Sequence, residues 1–344
     1  MSSLFPPAEI LQAWNITQHI LPAPDAGLIN HTYLVGEPPE AVLQWVNPIF
    51  DPKIHIDLTA ITAHLHQKGL VTPSLLPTGS GDSFVETDNG SWRLWTFIQG
   101  RTLHHIHSAT IANEAGAMLA RFHRALEDYA VPRTGAVRDI HNTQLRMDNL
   151  VQALSQGQTH PLWSEVEPLG ETILNAWESL DVFPGLPLRT CHGDPKISNL
   201  HFHPTEERAI CMLDLDTVGP QRIDAELGDA WRSWCNPAGE SDPKASRFDF
   251  ELFRQSLHGY VQEAPQLAPD EKESLVPGIM RISLELSARF CADALQNTYF
   301  AENRTLYPVK GRHNLTRALS QFTLYQSIFQ QQSALESLIQ QQEF

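Results

Sequence analysis

The sequence predicts an α+β chain of two unequal parts, a small β-rich N-terminal part and a larger, mainly helical C-terminal part. Up to about residue 98 the apolar residues come in short runs separated by Gly, Pro, Asp and Asn, the pattern of strands and turns. After Gly100 they recur at three- and four-residue steps, the pattern of amphipathic helices. The length, 344 residues, is enough for two lobes that each bury a core.

Strands are expected at Ile29 to Val35, Ala41 to Val46, Ser83 to Thr87 and Trp92 to Phe97. One helix interrupts them: Ile54 to Lys68 lines up Ile54, Leu58, Ile61 and Leu65, with Gly69 placed to cap its end. In the helical part, Ala109 to Leu126 repeats Ile111, Ala115, Leu119 and Phe122 on one face. The segment after Glu273 does the same with Ile282, Leu286 and Phe290, and the last helix with Leu315, Leu319, Phe322, Tyr325 and Phe329. Stripes of this kind are core, because each must bury its apolar side. Leu335 and Leu338, between the Gln-rich runs 330–332 and 340–342, either extend the last helix or fray from it.

With 24 Lys+Arg against 40 Asp+Glu the net charge is −16, and no basic run is present. That balance argues against nucleic acid and against anionic membrane surfaces as partners. No run of eighteen apolar residues occurs, and Met1 to Pro7 lacks a basic and apolar leader pattern. Cys191, Cys211, Cys235 and Cys291 are widely spaced with no CxxC pair, the usage of reduced core thiols. The expectation is a soluble cytoplasmic protein, a monomer or homodimer, acting on a small molecule.

A non-helical island, Arg189 to Gly219, interrupts the helical part. Within it, His192-Gly193-Asp194-Pro195-Lys196-Ile197-Ser198-Asn199 precedes an apolar run that ends in Asp214-Leu215-Asp216. Phosphoryl transfer from ATP asks little covalent work of a protein, so its catalysts position groups and stabilise charge around magnesium. Asn199 and Asp214 supply the amide and carboxylate oxygens that Mg2+ accepts beside phosphate, and Asp216 could help hold a second ion. Asp194 suits the base that takes the proton of the attacking hydroxyl, and Lys196 a point charge beside the phosphoryl group.

This segment resembles the catalytic loop and metal strand of the aminoglycoside phosphotransferase superfamily, in which HGD replaces the HRD of protein kinases. The D-x-K-x-x-N spacing from Asp194 through Lys196 to Asn199 matches, and Asp214 stands where the aspartate of DFG would. The resemblance implies a bilobal protein-kinase-like fold, with an N-lobe over 1–98, a C-lobe over 99–344, a hinge at Phe97 to Gly100, and ATP in the cleft. It also implies that His192 supports the loop backbone.

Further segments are similar to the N-acetylhexosamine 1-kinase branch. Gly27 to Val35 resembles its first hairpin, which covers the nucleotide and borders the sugar. That implies nucleotide contacts for Asn30 and Thr32, and leaves His31 between a sugar contact and a tight-hairpin residue. Val42 to Asn47 resembles its third strand, with Gln44 where most kinase-like enzymes carry a lysine. The following helix has Asp57 but no glutamate, so the usual Lys–Glu pair is absent, and the group that meets the α- and β-phosphates is open. Arg93 to Leu103 looks like the hinge, whose Phe97 and Ile98 backbone would meet adenine. Leu227 to Ala230 with Arg232, Leu284-Glu285 with Arg289, Phe290 and Asp293, and Gly311 to Ala318 also match that branch, and Glu226 stands where it has aspartate. These matches imply substrate contacts for Asp229, Arg312, Asn314 and Arg317. Each has a plainer reading, Asp229 as a helix cap and Arg312 and Arg317 as surface charges.

Most of the sixteen histidines, among them His64, His66, His104, His105, His107, His201 and His203, lack zinc-ligand spacing and read as surface or capping residues. Trp231, Trp234 and Phe248 form either a sugar-stacking wall or, more simply, core. The function implied is transfer of the γ-phosphoryl of ATP, with Mg2+, to the anomeric hydroxyl of an N-acetylhexosamine. The alternatives are a kinase of the same superfamily acting on an aminoglycoside, amino alcohol or other sugar, and a non-catalytic nucleotide or sugar binder.

Overall fold

A computed structural model of the chain describes residues 5–23, 30–129 and 140–344, so the Gly27 to Ile29 part of the first hairpin lies outside the described residues. The chain passes through α1 (Ala8–Ala13), β1 (Ile20–Pro22), β2 (His31–Val35) and β3 (Ala41–Val46). It then crosses on α2 (Ile54–Gln67) and returns through β4 (Leu75–Leu76), β5 (Val85–Thr87) and β6 (Gly90–Thr96). These strands form one antiparallel sheet in the order β1-β2-β3-β6-β4, with β5 also on β6. The expected strands recur as β2, β3, β5 and β6. The elements that periodicity missed, α1, β1 and β4, are six residues or fewer, too short to show a period.

Alternation along the strands gives the sheet two apolar faces. Leu43, Trp92 and Leu94 join Ile10 of α1 in one buried cluster, while Val42 and Trp95 face the other way, onto Leu58, Ile61 and Leu65 of α2. The second face is the one that looks toward the non-helical island, and Gln44 and Arg93 lie on it. Gly69 ends α2 in the left-handed conformation, as its capping position predicts.

The C-terminal part follows with β7 (Arg101–Thr102), α3 (Ala109–Ala125), α4 (Thr143–Gln156), α5 (Trp163–Glu178) and β8 (Leu188–Cys191). It continues with β9 (Leu200–Phe202), β10 (Ala209–Met212), β11 (Gly219–Arg222), α6 (Ile223–Trp234), α7 (Phe250–Glu263), α8 (Pro269–Gln296) and α9 (Arg312–Gln340). Helix α8 is central, packing on α4, α5, α6 and α9, while α3 packs on α7. The island becomes two small sheets, β10-β9-β7 and β11-β8.

Glycines set how closely α3 and α7 approach. A Cβ added at Gly116 would run into the Ser256 carbonyl oxygen, and one added at Gly259 into that of Asn113. Gly259→Ala must therefore push two backbones apart, and is expected to cost about 1–3 kcal/mol as overpacking. A urea unfolding midpoint equal to that of the wild type would disprove it.

Helix α9 runs on to Gln340 because Leu335 and Ile339 bury against the core, which settles the open reading of Leu335 and Leu338 in favour of helix. Trp231, Trp234 and Phe248 are buried, so packing accounts for them and a sugar wall does not. All four cysteines are buried and unpaired. Among the described residues no helix is long and apolar enough to cross a membrane.

Candidate active site

The HGD loop leaves β8 and turns at Gly193, whose φ of +85° lies in the left-handed region and whose added Cβ would sit 2.5 Å from the Thr217 carbonyl oxygen. The turn hangs on α6. Glu226, with no exposed surface, accepts the backbone N–H groups of His192 and Gly193 at 2.9 and 2.8 Å. It also accepts from His123 Nε2 at 3.1 Å, and the other nitrogen of that ring meets the Tyr260 hydroxyl at 2.9 Å. Two more bonds hold the loop's far end, Trp234 Nε1–H to the Pro195 carbonyl at 2.9 Å and Ile197 N–H to Ser233 Oγ at 3.2 Å.

His192 joins this loop to the strand beyond it. Its Nδ1 accepts the Asp194 N–H at 3.3 Å, which places the ring proton on Nε2, and Nε2–H donates to the Leu213 carbonyl at 2.8 Å. Leu213 N–H in turn donates to the Asn199 carbonyl at 2.7 Å. Asp214 follows in the left-handed conformation, φ +58°, and starts the 3-10 turn Leu215–Thr217.

Asp194, Lys196, Asn199 and Asp214 converge. Lys196 Nζ pairs with Asp194 Oδ2. The Asn199 amide nitrogen donates to the Asp194 carbonyl at 2.8 Å and to its Oδ2 at 3.1 Å, which turns the Asn199 side-chain oxygen away from Asp194. Desolvation works to raise the Asp194 carboxyl, but the Lys196 charge and hydrogen bond outweigh it and hold it below the usual carboxylate range. Lys196 is correspondingly held protonated: desolvation opposes its charge, and Asp194 and Asp214 override that. Asp214 is exposed, and its carboxyl is pushed up, first by desolvation and then by the charges of Asp216 and Asp194. A crowded carboxylate beside an outward-turned amide oxygen is a donor set of the hard oxygen type that fits Mg2+.

Asp216 has a different partner. Arg93 of β6 takes both its oxygens, Nη1 to Oδ1 at 2.6 Å and Nη2 to Oδ2 at 2.8 Å, and both side chains are 2% exposed. A carboxylate buried in that fork is not placed to hold a second ion, which corrects the expectation drawn from its position. The other groups expected at the nucleotide join the same network. Gln44 Oε1 accepts from Arg93 Nε and Nη2 at 2.9 and 2.6 Å, its Nε2 donates to Thr32 Oγ1 at 3.2 Å, and Asn30 Nδ2 reaches Asp216 Oδ2 at 3.4 Å. At the hinge, the Phe97 N–H is spent on the Glu40 carbonyl at 3.4 Å, and the Ile98 carbonyl accepts from His201 Nε2 at 3.0 Å. His201 is therefore a buried strut and not a surface histidine.

The residues expected at the acceptor divide. Asp229 lies inside α6, which begins at Ile223, so it caps nothing. It accepts from Arg232 Nη2 at 2.8 Å; Arg232 Nη1 reaches Glu240 at 3.0 Å, and Glu240 meets Arg317 at 3.6 Å. Arg317 also lies over the Phe290 ring, 4.6 Å from its centre. Asp229 and Arg317 thus belong to one chain of charges. Arg312 does not: it forks onto Glu165 of α5 at 2.6 and 2.7 Å at the surface, which makes it the surface charge of its plainer reading. Asn314 is wholly buried and donates to Asp293 at 3.0 Å, fastening α9 to α8. His31 packs its ring against Trp45, centres 5.1 Å apart, at the end of β2 beside Asn30.

Arg93 and Glu226 are the residues that sequence reasoning undervalued. For Arg93 a signal existed: it is the one Lys or Arg inside an expected N-terminal strand.

The model of the phosphotransferase enzyme family (APH) matches residues 21–257. Among solved structures, an aminoglycoside phosphotransferase from Alicyclobacillus acidocaldarius is 14% identical, with a TM-score of 0.62 over 97% of this chain and 98% of its own. A microcompartment-associated aminopropanol kinase is 13% identical, with a TM-score of 0.62 over 95% and 97%. The amicoumacin kinase hAmiN, in complex with AMP-PNP, Ca2+ and Ami, is 13% identical, with a TM-score of 0.60 over 92% of each chain. At such identities the likeness is one of fold, an antiparallel N-terminal sheet on a helical C-terminal part in the kinase-like manner. The family match is a separate finding: it runs unbroken from the sheet through the HGD loop and past α6, well over half the chain, and by it this chain belongs to the phosphotransferase enzyme family.

Proposed function

We propose that the protein transfers the γ-phosphoryl group of ATP, with Mg2+, to the anomeric hydroxyl of an N-acetylhexosamine, giving the sugar 1-phosphate. The observation that carries the kinase reading is the convergence of Asp194, Lys196, Asn199 and Asp214 on one loop and the turn after β10. In this reading residues 1–98 cover the nucleotide, and residues 99–344 supply the catalytic loop and the acceptor site.

Asp194, kept ionised by Lys196, accepts the acceptor hydroxyl's proton as that oxygen bonds to phosphorus and the bond from phosphorus to the β-phosphate bridging oxygen breaks. The Asn199 amide nitrogen keeps the carboxylate turned to the acceptor. Lys196 places positive charge beside the phosphoryl group in flight. Asn199 Oδ1 and Asp214 would hold Mg2+, which neutralises phosphate charge when bound. Adenine would lie along the hinge, where, among the described residues, the Phe97 carbonyl and the Ile98 N–H are not spent on backbone bonds.

The resemblance to the N-acetylhexosamine 1-kinase branch points to a neutral sugar in preference to a cationic antibiotic or amino alcohol. The test is ADP release with ATP and Mg2+ across N-acetylglucosamine, N-acetylgalactosamine, their 1-deoxy forms and one aminoglycoside. Turnover of the N-acetyl sugars that vanishes with the 1-deoxy forms is expected; turnover of the aminoglycoside alone would remove the sugar assignment and leave the kinase.

A further inference from the structure

We infer that Arg93 is the cation through which the N-terminal sheet positions the Asp214 turn for nucleotide, the charge having moved from position 44 of β3 to the neighbouring strand; the inference rests on the kinase reading above. The first 98 residues contain only three Lys or Arg: Lys53, Lys68 and Arg93. Lys53 precedes α2 and is exposed, and Lys68 is paired with Asp128 at 2.6 Å on the surface. Arg93 alone of the three lies in a strand, 1% exposed, on the sheet face that looks toward the island.

Its contacts are those of a positioning device. The guanidinium grips Asp216 with two parallel bonds, joining β6 to the turn that Asp214 begins two residues earlier, and rests on the Trp95 ring, 5.0 Å from its centre. A buried pair of this kind gains little net stability, since two charges must leave water to form it, so stability does not account for its presence. What the fork supplies is a fixed distance and orientation between sheet and turn, which a bidentate pair gives and a point charge does not. The direction in which Asp214 presents its carboxylate follows from where that turn is anchored.

Gln44 is the other half of the arrangement. It stands directly across from Arg93 in the β3–β6 register, and its amide oxygen accepts two of the guanidinium N–H bonds. A lysine at 44 would bring an ammonium against the guanidinium, so glutamine at 44 and arginine at 93 form a matched pair in which one position bears the charge. The charge should then be exchangeable across the register.

The experiment is calorimetric binding of Mg2+–ADP to the full chain, a readout that needs no turnover, with thermal unfolding of each variant alongside. R93Q is expected to weaken binding about tenfold or more, a change of about 1.4 kcal/mol. The exchange Q44R/R93Q, which carries the guanidinium fork to the facing position, is expected to recover binding to within about threefold of wild type, which a merely structural arginine would not permit. R93M/D216L replaces the pair with apolar groups and so avoids stranding a buried charge. It is expected to stay folded and to bind as weakly as R93Q, and it decides the matter if R93Q fails to fold. Wild-type affinity in R93Q or in R93M/D216L overturns the inference, as does a folded exchange variant no better than R93Q. A wild-type chain that binds no nucleotide overturns the kinase reading and this inference together, whereas wild-type binding with indifferent variants removes only the role of Arg93.

Discussion

Asp194→Asn is expected to lower turnover about 10²–10⁴-fold, the range for loss of a general base, while nucleotide binding stays within about threefold of wild type. The change is nearly isosteric, and it leaves the bond from the Asn199 amide nitrogen to the residue-194 backbone carbonyl, 2.8 Å in the wild type, so the loop keeps its course. Lys196 loses its nearest counter-charge but still lies in the fields of Asp214 and Asp229. What disappears is the one carboxylate that Lys196 keeps ionised and the Asn199 amide orients. Steady-state ADP release and calorimetry on the same preparation separate the two effects. Residual turnover above a tenth of wild type would take Asp194 out of the role of base. Loss of binding in step with turnover would mean that the substitution had disturbed the loop.

Glu226→Gln is expected to destabilise the protein by about 2–5 kcal/mol and to abolish most turnover, although residue 226 touches no reacting atom. The carboxylate accepts two backbone N–H groups and His123 Nε2 in a fully buried site. A glutamine presents one oxygen and one NH2, so an N–H of the loop must face another donor. A stranded buried donor costs about 1–3 kcal/mol, and a bond to a charged acceptor is worth about 1.5–3 kcal/mol. Urea unfolding measures the loss. Desolvation raises the Glu226 carboxyl, yet the His123 bond and the Gly193 N–H outweigh it and hold it below the ordinary glutamate range. A depressed carboxylate contributes stability that is fully present above its unfolded pKa and is lost as pH falls through its folded one. The gap between wild type and Glu226→Gln should therefore be full near neutrality and close in acid, below the usual glutamate range. A gap that stays constant with pH would show that the charge on Glu226 is irrelevant to the loop.

The readings that held and those that did not divide by distance along the chain. Asp194, Lys196 and Asn199 lie within six residues, so their spacing alone brings them to one turn, and the apolar β10 delivers Asp214 beside them. The strand pattern of β3 and β6 and the stripes of α2 and α3 were legible for the same reason, since period and capping are local properties. α1, β1 and β4 were not, because they hold their conformation through the sheet they join.

At the acceptor side the sequence placed Arg312, Asn314 and Arg317 on one helix but could not give the rotation of α9 about its axis. Contact with α8 sets that rotation: Asn314 turns into the core onto Asp293, Arg312 out to Glu165, and Arg317 toward Glu240. Asp216 likewise read as a metal ligand from its neighbours in sequence, while its partner Arg93 lies 123 residues away and a basic residue in a strand names no partner. By itself the sequence determined which residues share the HGD loop and where the longer periodic strands and helices lie, because these depend on residue type and short-range period. The tertiary structure alone decided which charges are spent on each other and which are left to face a ligand, because burial and pairing are properties of the space between elements.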